Sequence, residues 1–511
     1  MARRTAAPIA GLVAVGVLAG VGGLFEAVHP AAQTRPPGRA ATSGRAPTGV
    51  PLVPLEESWL RWPLPASEAA YAGIDGLRLK GYVREVTAIS RRSRDRGEQW
   101  WGRIQGMPAD AETQQWLADK FRRAGIQDVR IQPFNLPPQW MPSSWSVSAT
   151  GGGTTIRLES AVPNMRSASG SFDLEAVYLG LGTEADFMNK DIKGKAVFIY
   201  GAAEPGLWMS SAIREGALDR ADQGGAATVF LAVGLPGNMK MHAFRGPVKA
   251  SAYSIGLDDF IAVRKLIERA GSGPAPRIKI ALDAKTIPGL TTANVWGVLP
   301  GMSDEKVIVT AHRDGYFEGA SDNASGLSTI VGLAEYFAKL PRERRPRTIM
   351  LVGTPGHHGT SDLGLKWIQE HRDSDLGKVA LYMNGEHTAA GQTYMRGPAI
   401  RKANAANAFW WSLEGSPTLE AIVLKAYRTF GVATYAEPET GSPPGATGDY
   451  GDIATVGLVD AGMFYHTEGE TEDTVPPFGL EASTRAFAKI IDESGKVDIH
   501  ALKKVHVKTQ Q

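Results

Sequence analysis

The chain has 511 residues, of which 43% are hydrophobic and 21% are charged. This composition is too apolar for an intrinsically disordered chain, and the balance of 55 basic against 53 acidic side chains argues against a nucleic-acid-binding protein. Because the chain contains no cysteine, disulfide bonds, thiolate metal sites and cysteine nucleophiles are excluded. Any metal ion must therefore be held by His, Asp and Glu side chains.

Residues 1–32 have the pattern of an export signal. Arg3 and Arg4 precede an apolar run from Ala6 to Leu24. Two outcomes fit this segment: cleavage near its end, or retention as a membrane anchor, since about 20 apolar residues can span a bilayer. We therefore expect an exported protein, periplasmic or extracellular, with possible membrane anchoring through this segment alone. Residues 33–75 follow as a linker and lead-in rich in Pro and Gly.

The next part of the chain begins with helical patterns and then becomes rich in short β-runs. Leu77–Val86 has helical spacing, and a second helix is predicted with Asp110 as its N-cap and Gly125 just after its end. From Trp145 to Leu282 the β-runs dominate. We expect residues 145–291 to form a separate β-rich domain, inserted into a main domain made of residues 76–144 and 292–505.

After Thr292 the pattern alternates between strands and helices. Strands are predicted at 307–311, 348–352, 379–383 and 463–465, and helices at 327–340, 419–430 and 480–491. Continuous apolar strands that alternate with helices are typical of a largely parallel sheet covered on both faces. The expected fold class is therefore α/β, with a mostly parallel mixed sheet and helices on both of its faces.

Each of these predicted strands leads into a potential metal ligand. The residues concerned are His312, the pair His357 and His358, Glu386, and His466; Asp322 follows ten residues after His312. Ligands of open α/β sheets bind beyond the carboxyl ends of the strands, so these side chains are expected to converge. A strand-end histidine can also be purely structural, and Asp322 with Asn323 can also be only a helix N-cap.

Convergence of these residues would give a zinc site, because imidazole and carboxylate suit Zn²⁺ where no thiol is present. Asp314 can accept the second ring N–H of His312 and so fix its tautomer. If two zinc ions are bound, they require a bridging carboxylate, for which Asp322 is the candidate. Such a site would support hydrolysis.

These motifs resemble the M28 family of zinc aminopeptidases. The matching pieces are V-T-A-H-R-D, G-A-S-D-N-A-S-G-L at 319–327, M-N-G-E-H, and F-Y-H-T. The inserted segment, with K-G-K-A-V-F-I-Y and Q-G-G-A-A-T-V-F-L, resembles a protease-associated (PA) domain, a known companion of this family. The resemblance covers roughly Leu77 to the carboxyl end, and it implies a zinc-peptidase fold of the phosphorylase/hydrolase-like type.

The resemblance implies a role for each site residue. His312 and Glu386 would hold one zinc ion, and His466 with the His357 position would hold the other. Asp322 would bridge the two ions. Asp314 matches the family's orienting aspartate, and Tyr465 matches a tyrosine that assists the oxyanion in some members.

The chain departs from the family after the second predicted strand. The family has two adjacent glutamates there, a general base followed by a zinc ligand, whereas this chain has T-P-G-H-H-G. In the preferred register Gly356 takes the position of the base and His357 that of the ligand, with His358 as a possible proton relay. In the alternative register His357 takes the base position and His358 is the ligand. Loss of a general base typically costs 10²–10⁴-fold in rate.

The expected function is therefore an exported metal-dependent hydrolase of peptide or amide bonds with an altered catalytic centre and one or two Zn²⁺ ions. A catalytically inactive relative that binds a ligand through the PA domain and cleft is the first alternative. A metal-retaining cyclase or acyl-transfer enzyme on the same fold is the second.

Overall fold

The structure is a computed structural model that describes residues 60–202, 216–242, 249–356, 358, 363–396, 399–435, 453–459 and 462–503. All of these residues belong to one compact unit of the chain, Val53–Gln511. The export segment, most of the linker and His357 lie outside the described residues. Among the residues that are described, no helix combines the length and the hydropathy that a membrane span requires.

The strands are numbered in chain order. They are β1 (Gly102–Arg103), β2 (Asp128–Asn135), β3 (Gln139–Gly151), β4 (Thr154–Arg157), β5 (Val162–Pro163), β6 (Gly170–Tyr178), β7 (Ala196–Ile199), β8 (Thr228–Ala232), β9 (Ser251–Ile255), β10 (Arg277–Ile287), β11 (Thr291–Leu299), β12 (Lys306–His312), β13 (Gly315–Tyr316), β14 (Thr348–Thr354), β15 (Val379–Gly385), β16 (Gly391–Arg396), β17 (Ala399–Ala406), β18 (Phe409–Glu414), β19 (Thr434–Tyr435) and β20 (Ala454–Val459).

The α-helices are numbered in the same way. They are α1 (Gly76–Asp95), α2 (Pro108–Ala124), α3 (Glu184–Phe187), α4 (Ala217–Gln223), α5 (Leu257–Ala270), α6 (Gly326–Ala338), α7 (Leu363–Glu370), α8 (Pro417–Phe430), α9 (Pro477–Ser494) and α10 (Ile499–Leu502). Short 3₁₀ turns occur at Ala66–Gly73, Arg342–Arg344 and Glu472–Thr474, and a π-type turn at Ala320–Ser325 precedes α6.

The central sheet has eight strands in the order β19-β18-β20-β15-β12-β14-β11-β2. The four middle strands, from β20 to β14, are mutually parallel. The strands β11, β2 and β18 join this group in antiparallel pairings. The mixed α/β fold expected from the sequence is therefore confirmed.

Helices cover both faces of this sheet because side chains alternate along each buried strand. In β12, Val307, Val309 and Ala311 pack in one core with residues of α6 and α9. Ile308 faces the other way and belongs to a second core with Leu365 of α7. With both faces buried, the strands β12, β14 and β15 read as largely continuous apolar runs, which is what made them visible in the sequence.

A second eight-stranded sheet, in the order β4-β3-β10-β6-β7-β8-β9-β5, is built entirely from residues 139–287. We call these residues the second-sheet region. It has its own core, in which the rings of Phe198 and Phe230 stack at 4.6 Å. The chain leaves the central sheet after β2 and returns in β11, and these two strands pair with each other. The second-sheet region is thus inserted between two neighbouring strands of the central sheet.

The predicted strand at 463–465 was wrong: Met463–Tyr465 lies in a turn, and the last parallel strand is β20. The apolar side chains of Met463 and Phe464 pack against Met239 and Met241 of the second-sheet region instead of entering the sheet. His466 follows in the left-handed region, with φ of 58°.

The N-cap assigned to Asp110 was also wrong. Helix α2 begins at Pro108, with Met107 in the N-cap position. The carboxylate of Asp110 accepts hydrogen bonds from the main chain of Gly106 at 3.0 Å and from the guanidinium of Arg313 at 2.6 Å. Gly125 ends the helix in the left-handed conformation, as predicted.

Candidate metal centre

Four imidazoles surround the carboxylate of Asp322 at the carboxyl end of the parallel strands. The Nε2 atoms of His312 and His387 lie 3.1 and 2.9 Å from Asp322 Oδ1. The Nε2 atoms of His358 and His466 lie 2.7 and 3.1 Å from Asp322 Oδ2. Each carboxylate oxygen therefore faces two ring nitrogens, and all five side chains are buried.

The topology explains why residues so far apart in sequence meet here. His312 is the last residue of β12, His358 follows β14, and His387 follows β15. His466 lies in the turn after β20, and Asp322 lies in the turn before α6. Since β12, β14, β15 and β20 are parallel neighbours, the segments that follow them emerge at one edge of the sheet.

The local structure before α6 directs the Asp322 side chain into the ring of imidazoles. Asp322 has non-helical dihedral angles, φ −107° and ψ 88°, so it does not belong to the helix. The neighbouring Asn323 satisfies the local main chain, because its Oδ1 accepts hydrogen bonds from the N–H groups of Gly326 and His387, both at 3.0 Å. Of the two residues weighed as a helix cap, Asn323 therefore caps the turn, and the Asp322 carboxylate stays available to the imidazoles.

Carboxylates behind the imidazoles fix their positions. Asp314 Oδ1 lies 3.1 Å from His312 Nδ1, and its Oδ2 accepts a hydrogen bond of 2.7 Å from the main chain of His358. Glu470 accepts hydrogen bonds from the main chain of Asp322 at 2.6 Å and of His466 at 3.1 Å. Carboxylates that orient ligand groups in this way are typical of protein metal sites.

Glu386 and Tyr465 lie at the edge of this cluster. Glu386 accepts a hydrogen bond of 2.8 Å from Asn384, and its other oxygen lies 4.0 Å from His387 Nε2. His312, Glu386 and His387 each offer one potential ligand atom, and these three atoms lie within 4.8 Å of one another. The ring of Tyr465 stacks on that of His466 at 3.7 Å.

The contacts around Asp322 have the geometry of a cation site. Asp322 Oδ1 and His387 Nε2 are 2.9 Å apart, yet neither atom forms a hydrogen bond of acceptable geometry with any described residue. Burial lowers the pKa of His466 to about 3, so its ring is neutral. Although burial opposes ionisation of Asp322, the adjacent imidazoles hold the pKa of its carboxyl well below the usual value. His466 and Asp322 therefore have the protonation states that divalent cations require, a neutral imidazole and an ionised carboxylate. The pKa of His312 differs, because its burial is outweighed by interactions with the carboxylates of Asp314 and Asp322, which raise it well above its ordinary value.

The structure brings together seven of the residues named from the sequence: His312, Asp314, Asp322, His358, Glu386, Tyr465 and His466. His357 lies outside the described residues. Sequence reasoning missed His387 and Glu470. The sequence did contain a signal for His387, because it directly follows Glu386, the predicted metal ligand, in M-N-G-E-H.

Part of the chain matches a known protein family. Residues 294–491 match the family model described as Peptidase family M28. The aminopeptidase YwaD of Bacillus subtilis is 24% identical over 268 residues, which amount to 52% of this chain and 52% of that protein. The chain therefore spans about half the length of the curated relative that it matches.

Three solved structures have a similar fold. BSAP, a zinc aminopeptidase from Bacillus subtilis, has a TM-score of 0.57 and 17% identity, covering 86% of this chain and 99% of that one. The Peptidase M28 precursor from Shewanella amazonensis SB2B has a TM-score of 0.61 and 18% identity, covering 84% and 98%. The aminopeptidase from Aneurinibacillus sp. strain AM-1 has a TM-score of 0.53 and 17% identity, covering 86% and 96%. At these identities the likeness establishes the fold alone.

Proposed function

Since this chain is an M28 aminopeptidase-like protein, we propose that it is a metal-dependent hydrolase of peptide or amide bonds whose centre uses imidazoles where the family uses glutamates. The observation that carries the proposal is the ring around Asp322, in which each carboxylate oxygen faces two Nε2 atoms at 2.7–3.1 Å. Asp322 would bridge two Zn²⁺ ions. His358 and His466 would hold one ion, and His312 and His387, with Glu386 beside them, would hold the other.

The position of His358 supports the second of the two registers. Its Nε2 lies 2.7 Å from Asp322 Oδ2, where a cation ligand is needed. If His358 is the ligand, the residue before it, His357, takes the position of the family's general base. The centre would then use an imidazole as the proton acceptor, which suits neutral pH because the ordinary pKa of histidine is about 6.5.

The remaining side chains act by holding and orienting these groups. When bound, divalent cations polarise the scissile carbonyl and make water a stronger acid. Asp314 fixes the ring of His312, and Glu470 fixes the main chain of both Asp322 and His466. Tyr465 stacks on His466 and would assist the oxyanion that develops when the carbonyl is attacked.

Two further parts of the proposal rest on the sequence. Residues 1–32 would direct export, and the second-sheet region would be a PA domain, which the inserted position of residues 139–287 supports. The substrate class is a peptide or a small amide. Nothing in this assignment involves a nucleic acid.

The test combines metal analysis with a substrate panel. We expect the purified chain to bind zinc, to hydrolyse L-aminoacyl 4-nitroanilides or N-acyl amides, to lose this activity with a chelator and to regain it with Zn²⁺. Asp322→Ala should lose both metal and activity, whereas Asp283→Ala, in the second sheet, should lose neither. A protein that binds stoichiometric zinc but hydrolyses no member of the panel would instead be a non-catalytic binder.

A further inference from the structure

The main chain of His358 is held by side chains rather than by a sheet. Strand β14 ends at Thr354, so His358 lies beyond the regular hydrogen bonding of the central sheet. The N–H of His358 donates to Asp314 Oδ2 at 2.7 Å, and its carbonyl accepts a hydrogen bond of 2.8 Å from the hydroxyl of Tyr316. Both main-chain groups of this histidine are therefore fixed by the segment that follows His312.

Tyr316 is itself fixed by its neighbours. In β13 it pairs with Gly102 of the antiparallel strand β1. Arg103, the next residue of β1, is fully buried, and its guanidinium donates to the carbonyls of Arg313 at 2.8 Å and of Glu318 at 2.6 Å. These two carbonyls lie on either side of β13 along the chain, so the main chain that carries the hydroxyl is anchored at both ends.

The ring of Tyr316 lies close to both imidazoles that face Asp322 Oδ2. Its centroid is 5.2 Å from that of His358 and 5.0 Å from that of His466. The residue is 7% exposed, and a phenylalanine could fill the same place. The contribution that only a tyrosine makes here is the hydrogen bond from its hydroxyl to the carbonyl of His358.

One short segment thus connects the two halves of the candidate metal centre. His312 faces Asp322 Oδ1, whereas His358 faces Asp322 Oδ2. Asp314 contacts the ring of His312 and the N–H of His358, and Tyr316 fixes the remaining main-chain group of His358. A shift of this main chain would move the His358 ring relative to the carboxylate, because the ring is attached to it by a single methylene.

We propose that Tyr316 is a positioning residue of the metal centre, whose hydroxyl fixes His358 so that its Nε2 points at Asp322 Oδ2. This inference rests on the metal site of the proposed function. Groups that hold metal ligands in place typically contribute about 10–100-fold to metal affinity. Without the hydroxyl the protein should fold, but it should bind metal less tightly and in an altered geometry.

The test uses Tyr316→Phe, which keeps the ring and removes only the hydroxyl. We expect the dissociation constant for zinc, measured by competition with a chromogenic chelator, to rise about tenfold. The visible absorption of the Co²⁺-loaded protein, which reports the geometry of the ligands, should also change. At saturating zinc, kcat for L-alanine 4-nitroanilide should fall, while KM changes less than about twofold.

The matched control is Tyr71→Phe. Tyr71 is also buried, and its hydroxyl donates a hydrogen bond of the same length, 2.8 Å, to Asp492 of α9. This variant should lower the midpoint of urea unfolding but leave zinc affinity and the Co²⁺ spectrum as in the wild type. The role of Tyr316 is overturned if Tyr316→Phe behaves in the same way, or if it is unfolded without metal, since both results indicate a packing role.

Metal binding separates failure of this inference from failure of the proposed function. If the wild type binds zinc but hydrolyses no substrate, the hydrolase assignment fails, and the zinc affinities of the wild type and Tyr316→Phe still decide the role of Tyr316. If the wild type hydrolyses the anilide and both proteins have equal zinc affinity and the same Co²⁺ spectrum, only the role of Tyr316 fails. A wild-type protein that binds no metal would overturn both.

Discussion

Glu470 holds the main chain of Asp322 through a hydrogen bond of 2.6 Å from the Asp322 N–H to Oε1 of the Glu470 side chain. The other oxygen of the same carboxylate accepts from the N–H of His466 at 3.1 Å. One buried carboxylate thus sets the spacing between the bridging residue of the candidate metal centre and one of its imidazoles.

We expect Glu470→Gln to weaken zinc binding about tenfold while the protein remains folded, because an amide can accept from only one of the two N–H groups through its single oxygen. The dissociation constant is measured by competition with a chromogenic chelator. Glu468→Gln is the matched control, since Glu468 lies in the same turn but its carboxylate accepts from the main chain of Lys240. Equal affinities in the wild type and Glu470→Gln would show that this carboxylate does not position the ligands.

His387→Ala should reduce the zinc content of the protein by one ion or weaken one of two binding steps. The reason is that His387 Nε2 lies 2.9 Å from Asp322 Oδ1, the same carboxylate oxygen that His312 Nε2 faces. Elemental analysis after dialysis gives the stoichiometry, and His371→Ala serves as the control with the same side-chain change. If His387→Ala retains the full wild-type stoichiometry and affinity, Glu386 rather than His387 completes that side.

Substitutions of the two adjacent histidines should have different consequences. His358→Ala should lose zinc, because its Nε2 lies 2.7 Å from Asp322 Oδ2. His357→Ala should keep zinc and lower kcat by about 10²–10⁴-fold, as expected when a general base is removed. The opposite pattern, with zinc lost only in His357→Ala, would restore the register that places His357 among the ligands.

The stability of the region around the centre depends on a buried ion pair between Arg313 and Asp110. Their side chains are 0% and 2% exposed, and Arg313 Nη1 lies 2.6 Å from Asp110 Oδ1. Asp110→Ala should lower the free energy of unfolding by about 3–5 kcal/mol, because it leaves the guanidinium buried without its counter-ion. Urea unfolding measures the change.

The control for that experiment is Asp128→Ala, which removes the partner of Arg130 in an exposed pair. A pair of this kind contributes about 0–1 kcal/mol. If both substitutions had the same small effect, the buried pair would contribute no more than a surface one.

Asp492 should make stability depend on pH. Burial raises the pKa of its carboxyl in the folded protein, although the hydroxyl of Tyr71 donates to it at 2.8 Å. Its contribution is therefore fully present below the unfolded pKa of about 3.9 and is lost as the pH rises through the higher folded value. Relative to the wild type, Asp492→Asn should become more stable between pH 4 and pH 7, as measured by urea unfolding across that range. A difference that does not vary with pH would show that the pKa is not raised.

Three of the four parallel strands, β12, β14 and β15, were predictable from sequence because both faces of the central sheet are buried. β12 and β15 therefore appear as uninterrupted apolar runs that end at His312 and just before Glu386. The turn at Met463–Tyr465 looked similar, but its apolar side chains are buried against the second-sheet region. A contact between two parts of the chain leaves no periodic signal in either part, so the error could not be detected locally.

The same reason explains which site residues were missed. His387 lies one residue beyond Glu386, which was taken as the ligand at that strand end, and Glu470 acts through hydrogen bonds to the main chain of Asp322 and His466. Residue type and spacing predict that ligands gather at one edge of the sheet, whereas the choice among adjacent candidates depends on the directions of individual side chains.

The sharing of Asp322 between two pairs of imidazoles has a consequence for how such a centre can change during evolution. Each imidazole serves one carboxylate oxygen, so an exchange of one ring for another ligand alters only one half of the arrangement. Asp322 serves both halves, so its replacement would dismantle both in a single step. During evolution the imidazoles around Asp322 can therefore be replaced one at a time. Asp322 itself is the residue whose replacement is least tolerated, because both halves of the centre depend on it.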